Sequence, residues 1–202
     1  MEQKTYEWFV LRVGKITGTL AKKVHGAEWR LLIYKLIEEE NNGYIEEDNY
    51  ESDEMIWGSM NEPNVAILRE QKLGIKLLDA GFLQNEEHQW IGYSPDKYYE
   101  DENGYVIEEF KCPSTAKHLQ VIHLNEIPSK KDYWEAQCFH AFQLDERVHT
   151  VNFSCYDPRY LAKEIITITL LRKDYEARIS KELQMLLKFR AEWEHVKSIV
   201  NF

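Results

Sequence analysis

Asp96, Glu109 and Lys111 are the residues of this 202-residue chain whose types and spacing point most directly to chemistry. Glu109 and Lys111 are two apart, so on a β-strand they share a face while Phe110 between them points into the core. Just upstream, Asn103-Gly104 is a strong hairpin signal, because a type I′ turn needs positive φ at both central positions. Pairing outward from that turn sets Glu102 opposite Tyr105, Tyr98 opposite Glu109 and Asp96 opposite Lys111. Diagonal neighbours on such a ladder lie ~7–8 Å apart, a gap that two carboxylates and an ammonium can close around an ion. Hard oxygen donors of this kind suit one or two Mg²⁺ or Mn²⁺ ions, which neutralise a phosphate and lower the pKa of a bound water. Lys111 would orient that water or stabilise the developing charge. Together these are the parts that metal-assisted phosphodiester hydrolysis requires. An E-x-K string alone is equally an ion pair across a surface hairpin, and it is the preceding Ser94-Pro95-Asp96 that sets this one apart.

The elements that must hold these residues follow from periodicity. Apolar spacing predicts helices over Thr17 to Val24, Trp29 to Glu39 and Met55 to Leu73, the last with a kink or fresh start at Glu62-Pro63 and a stop at Gly74. Strand-like runs follow at Ile75 to Leu83, His88 to Tyr93, Lys97 to Tyr99 and Tyr105 to Lys111, read as a β-meander. Ser129 is expected to cap a helix through Leu144. Strands at Val148 to Tyr156 and Glu164 to Leu171 come next, and a long helix from about Tyr175 to Val200 closes the chain. This order predicts an α/β (α+β) fold, a central mixed β-sheet flanked by helices, in a single domain spanning residues 1–202.

Composition narrows the function classes. Apolar residues make up 44%, enough for a core, and the opening MEQKTYEWF has no apolar leader run, so a soluble, intracellular (cytoplasmic) protein with no membrane association is expected. Cys112, Cys138 and Cys155 form no C-x-x-C pair, and the seven histidines form no helical H-x-x-x-H pair, which argues against zinc and disulfide frameworks. Glycine-rich phosphate loops are absent. The net charge of −10 is unfavourable for binding phosphates. Nine of the acids, however, lie between Glu38 and Glu54 without a Lys or Arg among them, leaving about −1 for the rest.

Five strings in order carry a resemblance. They are Arg12-Val13-Gly14-Lys15-Ile16-Thr17, Gly58 through Glu62-Pro63, Ser94-Pro95-Asp96 with Glu109-Phe110-Lys111-Cys112-Pro113, Tyr133 to Gln137, and Tyr156-Asp157-Pro158-Arg159. Together they resemble the phage lambda exonuclease or YqaJ-like viral recombinase family, within the restriction-endonuclease-like PD-(D/E)XK nucleases. The resemblance implies that Asp96, Glu109 and the Phe110 carbonyl bind the metal, that Glu62 supports a second ion or its water, and that Gln137 helps place the nucleophile. It also implies a 5′-phosphate pocket in which Arg12, with its planar fork of donors, joins the hydroxyls of Thr19 and Ser94. The activity it implies is 5′ to 3′ digestion of linear double-stranded DNA from its ends in phage or prophage recombination, with a single-strand annealing protein as partner and a homotrimer as assembly. An endonuclease on the same core and a catalytically silent DNA-binding module are the alternatives. Lys97 stands where the family usually has glycine, and Gly18-Thr19 replaces its usual alanine-serine.

Each residue also has a plainer reading. Glu62 could be a solvated helix-end carboxylate, Gln137 a good helix former on a wet face, and Arg12 the partner of a nearby acid. Asp157-Pro158-Arg159 reads first as a turn closed by its own ion pair, and Trp8, Trp57, Trp134 and Trp193 as core.

Overall fold

The computed structural model describes residues 3–43, 52–129 and 134–200. Four helices lead: α1 (Tyr6–Arg12), α2 (Gly18–Val24), α3 (Trp29–Asn42) and α4 (Asp53–Leu73). A two-stranded ladder of β1 (Leu83–Gln84) and β2 (Gly92–Tyr93) comes before the hairpin β3 (Lys97–Asp101) and β4 (Gly104–Lys111). Helices α5 (Thr115–Leu124) and α6 (Trp134–Ala141) carry the chain across to β5 (Val148–Tyr156) and β6 (Ile165–Leu171). A 3₁₀ turn at Arg172–Asp174 then leads into α7 (Glu176–Val200). The main sheet has the order β3-β4-β5-β6, with β4 parallel to β5 and the outer pairs antiparallel, so it is the mixed sheet expected.

Strand alternation divides the packing. Ile107, Val151, Phe153 and Cys155 face a core shared with Val121, Cys138 and Phe139 of α5 and α6, whereas Phe110 and Tyr156 face Val65 and Ala66 of α4. A third cluster joins α2, α3 and α7 through Val24, Leu32, Leu36, Leu186 and Trp193. Ile16 and Ile91 belong to it and bridge to each other.

Several sequence expectations need correction. Helix α4 runs unbroken through Pro63. Its ends are fixed by the Ser52 hydroxyl on Met55 N–H and by Gly74 in the left-handed conformation (φ 71, ψ 21), while Val65, Ala66 and Arg69 are buried against the sheet. That tertiary anchoring outweighs the local preference of a residue before proline. The meander is not present. Of Ile75 to Leu83 only Leu83 is strand, the first residue of β1, preceded by a single bridge from Leu78 to Tyr98 and by Gly81 at positive φ (67). Within His88 to Tyr93 the Asn85 side chain caps His88 N–H at 2.6 Å, so the strand begins only at Gly92.

The hairpin turns one residue earlier than predicted. Asp101 pairs with Gly104, leaving Glu102-Asn103 as the loop, and Asn103 is not among the positive-φ residues. The Asp101 carboxylate accepts from Asn103 N–H at 2.8 Å, an Asx turn that needs no left-handed residue at Asn103. Gly104 (φ 126) serves a close approach instead, since a Cβ there would lie 2.4 Å from the Arg147 carbonyl oxygen. Lys97 therefore opposes Glu108, and Tyr98 opposes Ile107, a shift of two residues from the predicted register. Helix α1, capped by the Thr5 hydroxyl, and helix α5, which starts after Ser114, were not predicted. The Ser129 cap and Tyr133 belong to a stretch whose residues 130–133 lie outside the described ones, as do residues 44–51 of the acidic run.

Candidate active site

A two-residue shift leaves every side chain on its predicted face, because the strand period is two. Asp96, one residue before β3, therefore still meets the Glu109 end of β4, and its Oδ2 accepts from Phe110 N–H at 2.5 Å. Glu109 is fully buried. Its Oε1 accepts from the Lys111 ammonium, which donates in turn to the Phe110 carbonyl at 3.0 Å. Its other oxygen accepts from the Tyr93 hydroxyl. Nothing in the sequence pattern singled out Tyr93; the preceding Gly92 and the following Ser-Pro-Asp were the only signal near it.

The electrostatics are those of acidic groups crowded together out of water. Burial, then the charge of Glu109, push the Asp96 carboxyl well above its ordinary range, with Glu62 adding to the effect and Lys111 opposing it. Burial draws the Lys111 ammonium down, but Glu109 and Asp96 outweigh that and leave it raised. Burial and Glu109 also raise the Tyr93 hydroxyl, which stays a donor. The ammonium sits on two oxygens, Glu109 Oε1 and Phe110 O. Two carboxylates and a carbonyl are hard donors that fit Mg²⁺ or Mn²⁺. Among the described residues, no three His, Cys, Asp or Glu side chains are drawn together as a ready-made metal cluster. Glu62 is accordingly close enough to act on Asp96 by charge but is not part of a closed ligand set.

Glu62, Asp96 and Phe110 line one cleft of about 860 Å³, whose walls also carry Lys4, Lys76 and Lys97. Lys97, the departure from the resembled glycine, pairs with Asp79 at 2.5 Å. Gln137 lies on α6 beside Cys138, which senses the charges of Glu109 and Lys111, and its Cγ packs toward Gly18. Arg12 and Ser94 are brought together. Ser94 Oγ accepts from Arg12 Nη1 at 3.4 Å and from Trp8 Nε1 at 3.0 Å, and the guanidinium lies 3.9 Å over the Trp8 ring. Burial lowers the Arg12 pKa to about 10 against the opposing pull of Glu39. Thr19 is exposed, and its hydroxyl pairs with Thr17 Oγ1 at 3.1 Å rather than with Arg12 or Ser94. Asp157 and Arg159 form the internal ion pair at 2.7 Å, with Arg159 stacked on Trp57 and Thr115 donating to Asp157.

Sequence reasoning also missed Arg69 and Glu108, buried to 4% and 0% exposure and joined by two hydrogen bonds of 2.7 and 2.9 Å. Asn152 donates to the same carboxylate at 2.8 Å. Arg69 is two helical turns beyond Glu62, so this pair pins α4 to the strand that bears Glu109.

The model of the YqaJ-like viral recombinase domain matches residues 7–145, well over half of the chain, and includes Glu62, Asp96, Glu109 and Lys111 but not β5, β6 or α7. The chain belongs to the YqaJ-like viral recombinase family. Among solved structures this family member is similar to LHK-Exo, an alkaline exonuclease from Laribacter hongkongensis, at 23% identity over 97% of this chain and 98% of that one, with a TM-score of 0.76. A structure of LHK-Exo in complex with dAMP gives 0.77 at the same identity and coverage. A phage related exonuclease from Haemophilus somnus 129PT is 15% identical over 100% of this chain and 92% of that one, with a TM-score of 0.57. No curated protein sequence matches the chain. At these identities the likeness establishes the fold: a mixed sheet with helices on both sides is shared end to end. No helix among the described residues is long and apolar enough to cross a membrane.

Proposed function

We propose that this YqaJ-family chain is a metal-dependent exonuclease that degrades linear double-stranded DNA from its ends. The observation that carries the reading is the convergence of Asp96, Glu109, the Phe110 carbonyl and Lys111 at the end of β4, where Asp96 and Phe110 line a cleft. A divalent ion bound there, Mg²⁺ or Mn²⁺, would supply Lewis acidity toward the scissile phosphate and a water of lowered pKa. Asp96, Glu109 and the Phe110 carbonyl would hold it, with Glu62 adding negative charge from α4. Lys111 keeps its proton and donates it as a hydrogen bond to the attacking water or to the charge growing on the phosphate oxygens. Gln137, on α6, is assigned to placing that water.

Lys4, Lys76 and Lys97 supply cations along the cleft wall for the strand's phosphates, and their present partners, Ser59, Glu70 and Asp79, are exchangeable surface contacts. Beyond the cutting site, Arg12 stacked on Trp8 and hydrogen-bonded to Ser94 presents a fork suited to a terminal phosphate, and Thr19 would add its hydroxyl from α2 on leaving Thr17. This arrangement supports recognition of a 5′-phosphorylated end and 5′ to 3′ progress. That LHK-Exo was captured with dAMP supports mononucleotide products here as well. The setting is recombination inside a phage's host, where a single-strand annealing protein would take over the exposed strand and a homotrimer would keep hold of the duplex.

The test is release of mononucleotides from linear duplex in Mg²⁺ by wild type, Asp96→Ala and Glu109→Ala. Wild type should release them only with the ion present, and both variants should lose cleavage by a hundred-fold or more, on the order of what removing a major stabiliser of transition-state charge costs. Wild-type rates in either variant would remove the metal assignment.

A further inference from the structure

We infer that Tyr93 is a positioning residue for Glu109, its hydroxyl selecting which carboxylate oxygen faces the ion. A fully buried carboxylate on a strand can present either oxygen, and only an outer partner decides. Here the Tyr93 hydroxyl donates to Oε2, leaving Oε1 on the side of the Phe110 carbonyl and the Lys111 ammonium. The metal-facing oxygen is thereby fixed before any ion binds.

Tyr93 is itself held tightly. It is 1% exposed. The peptide before it is clamped: Gly92 N–H donates to the Ile16 carbonyl at 2.9 Å, and His140 Nε2 lies 3.1 and 3.2 Å from the Ile16 and Gly92 carbonyls. The Tyr93 ring lies against the first residue of α2, where a Cβ on Gly18 would come within 2.6 Å of Cε2 and 2.9 Å of Cδ2. Gly18 and Tyr93 are thus a matched pair, the missing side chain of one making room for the ring of the other. Through them the start of α2, next to Thr17 and Thr19, is mechanically tied to Glu109.

This inference rests on the reading of Glu109 as a metal ligand, and the experiment separates the two. Mn²⁺ binding to the whole chain is measured by calorimetry, with thermal melts as a folding check, for wild type, Tyr93→Phe, Gly18→Ala, the double variant and Glu109→Gln. Steady-state digestion of linear duplex is measured alongside. Tyr93→Phe should weaken Mn²⁺ by about ten-fold and lower kcat with the KM for DNA unchanged, the usual scale for losing an outer partner of a ligand. Gly18→Ala should weaken it too, by displacing the ring, and should add no further loss to Tyr93→Phe. If Tyr93→Phe does not fold, Gly18→Ala alone carries the test. Wild-type Mn²⁺ affinity in both single variants while Glu109→Gln loses binding overturns the role of Tyr93 alone, as do additive losses in the double variant. Wild-type affinity in Glu109→Gln overturns the metal reading and this inference with it.

Discussion

At the scale of single residues, the informative contact is the Lys111 ammonium resting on Glu109 Oε1 and the Phe110 carbonyl. On the proposed mechanism it competes for the oxygens assigned to the ion, while its charge stabilises the transition state. Lys111→Ala should therefore bind Mn²⁺ at least as tightly as wild type while losing turnover by about a hundred-fold or more, since the contact it removes matters mainly in the transition state. Calorimetry beside single-turnover cleavage checks this; lost Mn²⁺ binding with residual turnover would reverse the assignment. The convergence of Asp96, Glu109 and Lys111 was legible from the sequence despite a wrong turn position, because an error of two residues preserves strand faces. Tyr93 was not legible. Its partner is sixteen residues away, and nothing about a tyrosine before Ser-Pro-Asp announces which carboxylate its hydroxyl will find.

At the scale of elements, α4 and β4 must keep Glu62 and Glu109 in register, and the buried Arg69–Glu108 pair is the fastener. Because both charges are out of water, removing one partner should cost about 3–5 kcal/mol, whereas replacing both with apolar residues should restore much of it. Arg69→Leu is thus expected to lower the denaturation midpoint strongly, and Arg69→Leu with Glu108→Leu to recover. A double variant as unstable as the single one would show that the Asn152 amide N–H, which loses Glu108, dominates instead. The pair escaped sequence reading because consecutive Glu108 and Glu109 look alike in one dimension, yet alternation sends one to α4 and the other to the site. Strands β5 and β6 and helix α7 were legible from long, regular patterns. The kink at Pro63 was misread because its cost is local, whereas the caps at Ser52 and Gly74 and the buried face of α4 act over the whole helix. Helix α5 has Ser114 at its N-cap position after Pro113, but ten residues of modest amphipathicity were too weak a signal beside the Glu109-Phe110-Lys111 string.

At the scale of the whole molecule, a net charge of −10 goes with a cleft whose lining sets Lys4, Lys76 and Lys97 against Glu62, Glu70, Asp79 and Asp96, so on the proposed reading a bound cation is needed there to favour phosphates. The family, the shared fold and the cleft together lead to one central claim, that cleavage begins at an end. The most direct test offers the chain, in Mg²⁺, equal amounts of 5′-phosphorylated linear duplex and of the same DNA as a covalently closed circle. The linear molecules should be consumed from their 5′ ends to mononucleotides while the circles persist. Cutting of the closed circles at a comparable rate, or digestion that starts from 3′ ends, would contradict it.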